Sequence, residues 1–301
     1  MKIKDSLGSR IFDIVNILFM IALGLVFVFP YINVLAKSFN DAADSARGGI
    51  TFYPRVFSLE NYKAIFADST TISALIVSVS RVLIAVVLSL LVQFSAAYAL
   101  SKRHFPGKKF FVTLFMIPMF IAAGQVPLYV LITKLKLMNN FWVYILPFLF
   151  SFYNIVIIRT FIQSTIPESI EESALIDGAN EVIMFFKLIL PLSKPILATV
   201  ALWVMVQHWN DWTATLYYIR KQDLFTLQYI MMQLVKETDR LQKMQQAALE
   251  AGLPVEEVKT KISSDSLVSA QVIVTTIPII CVYPFLQKYF VKGIMMGSVK
   301  G

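Results

Sequence analysis

The sequence predicts an all-α membrane protein with six transmembrane helices. Three observations carry that reading. Apolar residues make up 57% of the chain and fall in long blocks, while charged residues reach only 15%, against about 25% in a soluble domain. Several blocks are long enough to cross a hydrocarbon core, where a helix satisfies its own backbone groups. The alternating segments of roughly ten residues that mark an outer-membrane barrel do not occur.

The first span is 12–35. Lys2, Lys4 and Arg10 precede it as in a signal peptide. Its apolar stretch is too long for an h-region and no small-residue cleavage site follows, so it reads as an uncleaved helix. The remaining spans are 72–100, 110–133, 142–162, 195–213 and 268–290. Pro30, Pro118, Pro127, Pro147, Pro278 and Pro284 lie inside spans and read as kinks, tolerated because neighbouring helices re-satisfy the freed carbonyls.

Orientation follows from the shortest loop. Ser101-Lys102-Arg103-His104-Phe105-Pro106-Gly107-Lys108-Lys109 packs four basic residues into nine positions, which argues for the cytoplasm. An even span count then places both termini and the 163–194 loop inside, and 214–267 outside. Over the whole chain Lys and Arg divide evenly, 13 to each side with Arg81 inside a span; seven of the outer ones sit in the long 214–267 loop, which the rule discounts. The net charge of +8 is therefore assigned to helix ends beside lipid and not to nucleic acid, since no soluble basic domain is present. Cys281 is the single cysteine, so no disulfide forms within the chain, no cysteine-based metal site is expected, and it reads as a packing residue.

The loop between spans four and five is the most informative stretch, from Ile166-Pro167-Glu168 through Glu171-Glu172-Ser173-Ala174 to Asp177-Gly178-Ala179. Pro167 suits a first helical turn, Ser164 or Thr165 supplies a cap, and Glu168, Glu171 and Glu172 sit where the helix dipole favours negative charge. Gly178 ends or bends that helix. Val182, Phe185, Phe186 and Ile189 then recur at helical spacing before Pro191 and Pro195. The expectation is two short helices at a sharp glycine turn, which by periodicity alone is equally an ordinary interfacial loop.

Glu172-Ser173-Ala174, Gly178 and Leu188-Ile189-Leu190-Pro191 fall at the spacing of the EAA loop of ABC importer permeases, with Ser173 for alanine and Leu188 for isoleucine. Asp177-Gly178-Ala179 extends the match. The resemblance runs along the whole chain. Phe52-Tyr53-Pro54-Arg55 through Asn61-Tyr62 is similar to the first outer loop of carbohydrate permeases, and Trp209-Asn210-Asp211-Trp212 to their fifth-span ending. His208-Trp209-Asn210, Asp223-Leu224-Phe225-Thr226-Leu227-Gln228 and the tail from Pro284 to Gly301 resemble the LplC/YtcP branch of MalG-like subunits.

The resemblance implies a type I ABC importer permease fold in the bacterial plasma membrane and uptake of oligosaccharides, including acidic ones derived from pectic polysaccharides. It implies as partners a second, MalF-like permease, two cytoplasmic ABC ATPase subunits, an extracytoplasmic sugar-binding protein and membrane lipid. The permease itself does no chemistry and binds no cofactor or metal; ATP and Mg belong to the partner ATPase. Glu171, Glu172, Ser173, Ala174, Asp177, Gly178, Ala179, Leu190 and Pro191 are the residues implied in docking that ATPase. The charges of Glu171, Glu172 and Asp177 either meet basic residues of the ATPase or are solvated. Within 214–267, residues 228–251 read as a helix and 255–262 as a second; the loop either reaches the binding protein or forms a solvated cover. The tail is implied to touch the ATPase.

Polar residues inside the spans mark a candidate substrate path: Arg81, Gln125, Asn154, Trp209, Asn210 and Asp211. A mid-membrane arginine costs about 2.5–3.5 kcal/mol on insertion scales, so a carboxylate, a water-filled cavity, a substrate or snorkelling must offset it. Gln93, Gln125, Asn154, Gln207 and His208 equally suit bonds between helices. Trp209 and Trp212 read as membrane-edge anchors or as stacking surfaces for sugar rings. A secondary transporter or channel is the alternative, and it leaves the Gly178 loop unexplained. A membrane enzyme fits poorly: only His104 and His208 occur, with no His-Glu-x-x-His or Gly-x-Ser-x-Gly motif. No phosphate-binding glycine-rich loop is present, so another chain must hydrolyse ATP.

Overall fold

The computed structural model describes residues 7–121, 123–250 and 265–298. Among these the regular structure is helical, with an isolated antiparallel bridge between Asn40 and Phe57. In chain order the helices are α1 Leu7–Ser38, α2 Ala42–Ser45, α3 Glu60–Ala67, α4 Ser69–Ser101, α5 Lys108–Phe120, α6 Gln125–Lys134, α7 Phe152–Thr165 and α8 Glu168–Ile176. They continue as α9 Glu181–Leu192, α10 Lys194–Asn210, α11 Thr213–Tyr218, α12 Leu227–Glu250 and α13 Asp265–Ser298.

Helices α1, α4 and the Asp265–Val282 part of α13 are each long and apolar enough to cross a membrane. Three further candidates are bent pairs, so the chain offers up to six spans when each pair counts as one. The expected span 110–133 is α5 and α6, bent by 119° at a break that includes Gly124 at a φ of +83°, a conformation open to glycine without strain. The expected span 142–162 starts as 3₁₀ turns at Phe141–Tyr144 and Leu146–Phe148, the second holding Pro147, and becomes α-helical only at α7, 51° away. Ser151 caps α7 by accepting from the Asn154 amide. The expected span 195–213 overruns: α10 ends at Asn210, Asp211 is extended, and Thr213 already opens α11. The helix expected at 228–251 is α12, whereas 255–262 lies outside the described residues.

The chain divides into two compact units, residues 1–69 with 231–276, and residues 70–230 with 277–301. In the first, α1 exposes its apolar side chains all round, as a lipid-facing helix does. The 52–62 motif is explained here. Buried Asn40 donates to Asp44 Oδ2 (3.0 Å) and Ser45 Oγ (2.9 Å) and accepts from the Val56 amide (2.9 Å). Asn61 donates to the Ser38 and Asn40 carbonyls and accepts from Ser266 Oγ at 3.2 Å, while Arg55 pairs with Asp44. These side chains satisfy an irregular backbone that would otherwise leave polar groups unpaired.

The second unit packs around α4. One apolar cluster joins Phe94, Ala97, Tyr98 and Leu100 of α4 to Ile155, Ile158 and Ile162 of α7, Ile189 of α9 and Val200 of α10. A second joins Ala85 of α4 to Ile132 of α6, Tyr144 of the first 3₁₀ turn, and Ala214 and Tyr218 of α11. One stripe of α4 is thereby fixed along its length, while Ile76, Leu83, Val87 and Leu91 leave the opposite face exposed.

Candidate functional site: the acidic loop and the polar residues of the spans

Helix α8 starts at Glu168 with Pro167 just outside it, in extended backbone at the cap position. Ser164 and Thr165, expected as caps, belong instead to the end of α7, where the Ser164 hydroxyl donates to the Phe161 carbonyl. Pro167 carries no side-chain acceptor, so α8 has no side-chain cap. At the other end the backbone forms a Schellman motif. The Ala179 amide donates to the Ala174 carbonyl (2.9 Å) and the Gly178 amide to the Leu175 carbonyl (3.0 Å), with Gly178 at a φ of +80°. Asn180 then caps α9, its side chain accepting from the Ile183 amide at 2.9 Å. The two short helices at a glycine turn are therefore present. Residues Met184–Ile189 of α9 are π-helical, and α9 meets α10 at 77° across Ser193.

The loop residues separate into two sets. Ala174, Ala179 and Leu190 are half-buried, and Leu190 packs against the α4–α7 apolar cluster. Glu172, Ser173, Asp177, Gly178 and Pro191 are exposed. Ser173 returns its hydroxyl to the Ser169 carbonyl. Beside the exposed charges stand exposed apolar side chains: Leu175, Ile176 at 87%, Val182 and Phe186.

Glu171 does not share that exposed face. Its carboxylate takes Lys102 Nζ at 2.6 Å, and Lys102 also lies 3.4 Å from Glu181 and 4.5 Å from the centre of the Tyr98 ring. Tyr98 donates to Glu181 at 2.7 Å, Arg103 pairs with Glu168 at 2.7 Å, and Gln163 donates to the Ser101 carbonyl. Burial acts to lower the Lys102 pKa, but the hydrogen bonds and charge of Glu171 and Tyr98 outweigh it and raise the group above its ordinary 10.5. The basic stretch 101–109 and the acidic loop thus form one bonded cluster. Sequence reasoning used Lys102 and Arg103 only as topology markers. The partners are some 65 residues or more away, with no periodicity to link them.

The polar span residues assemble at two levels of α4. Gln93 donates to the Leu149 carbonyl (2.9 Å) and accepts from Asn154 Nδ2 (3.0 Å), tying α4 to the start of α7. Nearer the start of α4, buried Arg81 forms an ion pair through Nη2 with the Asp211 carboxylate and donates from Nη1 to the Asp211 carbonyl at 2.9 Å. The guanidinium lies 4.6 Å from the centre of the Tyr144 ring. The other Asp211 oxygen accepts from the Thr213 amide and hydroxyl and the Ala214 amide, capping α11. Gln125 accepts from the Tyr218 hydroxyl at 3.4 Å. Arg81 lies 12 residues inside the start of α4, and from Arg81 to Ser101 is roughly 30 Å along the helix. Of the groups expected to offset Arg81, the structure supplies a carboxylate, that of Asp211. Trp209 is buried and so is not a lipid-facing anchor, whereas Asn210 beside it is exposed.

Two cavities open between these residues. One of about 490 Å³ is lined by Gln93, Asn154, Gln207, His208 and the aromatics Phe150 and Tyr153, among others. A second of about 250 Å³ is lined by Arg81, Asp211, Gln125 and Tyr218 and shares Phe148, Gln207 and His208 with the first. No group of His, Cys, Asp and Glu among the described residues could hold a metal ion.

A family model described as the binding-protein-dependent transport system inner membrane component matches residues 95–296. The chain is 35% identical over 294 residues to protein LplC of Bacillus subtilis (strain 168), covering 98% of this chain and 96% of LplC. It is 33% identical to the polygalacturonan/rhamnogalacturonan transport system permease protein YtcP of the same strain, covering 97% of this chain and 99% of YtcP. Among solved structures, a bacterial ABC transporter involved in the import of the acidic polysaccharide alginate contains a similar chain. Its TM-score is 0.83 at 27% identity, covering 96% of this chain and 100% of that one. With helices that span a membrane, a Schellman turn at the glycine of its loop and these relatives along its length, the chain belongs to the binding-protein-dependent transport system inner membrane component family and is a permease subunit of an ABC importer, not an enzyme.

Proposed function

We propose that this chain is the MalG-like half of a heterodimeric permease that imports oligosaccharides handed over by an extracytoplasmic binding protein. ATP and Mg act on two separate ATPase subunits, one of them docked on the α8–α9 loop. The observation that carries the coupling reading is the turn at Gly178, which presents Leu175, Ile176, Val182 and Phe186 outward beside Glu172 and Asp177. Exposed apolar side chains rimmed by charge suit a protein partner. Glu171 is paired with Lys102, so it offers less free charge to that contact than Glu172 and Asp177 do. The cargo class is supported by the names of the relatives, polygalacturonan/rhamnogalacturonan for YtcP and alginate for the solved transporter. The cluster that joins the 101–109 stretch to the loop supports one membrane side for both, and the basic count of that stretch supports the cytoplasm. With six spans, both termini follow.

Reconstitution in proteoliposomes with the partner permease, the ATPase and the binding protein tests this reading. Gly178→Pro and deletion of 171–179 abolish ATP-driven uptake. Uptake and ATPase assembly that survive both changes rule out docking at this loop, and uptake without any ATPase favours the channel alternative.

A further inference from the structure

We infer that the 490 Å³ cavity is a glycosyl subsite within this subunit, one that reads the ring and hydroxyls of a sugar and not a carboxylate. The inference rests on the oligosaccharide reading above and sharpens it. The cavity has the size of a small-molecule site, for which about 300–1,000 Å³ is usual. Its walls carry no Asp, Glu, Lys or Arg. What they do carry is the equipment for a neutral polyol. Phe150 and Tyr153 are exposed at the cavity and offer ring faces to the apolar face of a pyranose. Gln93 and Asn154 are locked by each other and by the Leu149 carbonyl, so they form a fixed polar stretch of the wall. Gln207 is exposed and lines both cavities, and neighbouring His208 is 4% exposed with a buried Nδ1 that has no protein partner. A buried orphan of this kind requires a hydrogen-bond partner from outside the chain or from water.

The nearest cation is not available for an anion. Arg81 spends Nη1 and Nη2 on Asp211, its plane lies over Tyr144, only its buried Nε has no protein partner, and the pair is neutral as a unit. An arginine that recognised a uronate would keep its two-pronged edge free. The smaller cavity is therefore neutral too, and the carboxylates of an acidic cargo are read by another chain or stay in water.

The test uses the full transporter in proteoliposomes at saturating binding protein, with galactotriose and trigalacturonate as probes. These share ring stereochemistry and differ in charge. Gln207→Leu and Tyr153→Ala each lower the initial uptake rate of whichever probe the wild type carries by about tenfold, and where it carries both they lower both alike. Tyr153→Phe, which keeps the ring, restores uptake. Co-purification with the partner permease and ATPase checks that each variant assembles. If the wild type carries neither probe, the oligosaccharide reading falls and the subsite with it. If it carries a probe and both variants carry it at the wild-type rate, the subsite alone is overturned. A loss confined to trigalacturonate where both are carried shows that the cavity reads the carboxylate, which also overturns it.

Discussion

Helix α4 carries two charged clusters, one at Arg81 within the helix and one at Lys102 just past its end, and the two are built on opposite terms. At Arg81 the guanidinium is 1% exposed and has one acidic partner, which also caps α11. At Lys102 the ammonium is 24% exposed and has two acidic partners and a ring within reach. The buried pair holds its geometry because breaking it strands a charge. The half-exposed cluster can exchange partners because water stabilises whichever one is released. The Arg81 pair thus anchors α4, while the Lys102 cluster is held but adjustable, as the coupling role proposed for the loop requires.

The comparison is broken most directly at the buried pair. Arg81→Leu leaves the Asp211 carboxylate, 20% exposed, without its partner. The expected loss is about 3–5 kcal/mol, the usual cost of removing one member of a buried pair. It is read as a lowered thermal midpoint of the detergent-solubilised subunit complex. Asp211→Asn added to Arg81→Leu recovers most of it, because asparagine keeps an oxygen for the Thr213 and Ala214 amides. An R81L protein that melts with the wild type shows that the pair anchors nothing.

A smaller effect is expected at Gly178. Nothing lies within 4 Å of a Cβ added there, so the cost of Gly178→Ala is conformational alone, from a φ of +80°. That amounts to about 1–2 kcal/mol for a residue with a side chain. Gly178→Asn costs less, since asparagine tolerates this region. Hydrogen exchange across 168–180 distinguishes them: faster exchange in the alanine than in the asparagine variant is expected, and equal exchange in all three proteins removes strain as the reason for glycine.

What the sequence made legible follows the range of each interaction. The Gly178 turn closes over a few residues, so its chemistry is written locally in Glu172-Ser173-Ala174 and Asp177-Gly178-Ala179. The apolar blocks announced helices for the same reason. The breaks within the 110–133 and 142–162 spans were legible only as prolines, because a composition that permits a span does not fix whether it is straight. The pairing of Arg81 with Asp211 joins residues 130 apart, and both were singled out without being joined. Lys102 with Glu171 spans 69 positions, and the cap expected from Ser164 or Thr165 is absent because both still belong to α7 and Pro167 takes the cap position. Trp209 is buried, which no property of an isolated tryptophan foretells.

The smallest effect separates the two clusters by pH. Lys102→Met is expected to cost no more than about 1 kcal/mol, the range for a partly exposed ion pair. Its sign with pH follows from the raised Lys102 pKa. A lysine bound more tightly to its proton in the folded state contributes its full stabilisation below the unfolded value of 10.5 and loses it as pH rises through the higher folded value. The difference in thermal midpoint between wild type and K102M should therefore be flat from about pH 7 to pH 9 and shrink only in stronger alkali. A difference that changes between those two values would mean that some group other than Lys102 holds Glu171, and that the loop is fixed to α4 by a different contact from the one at 2.6 Å.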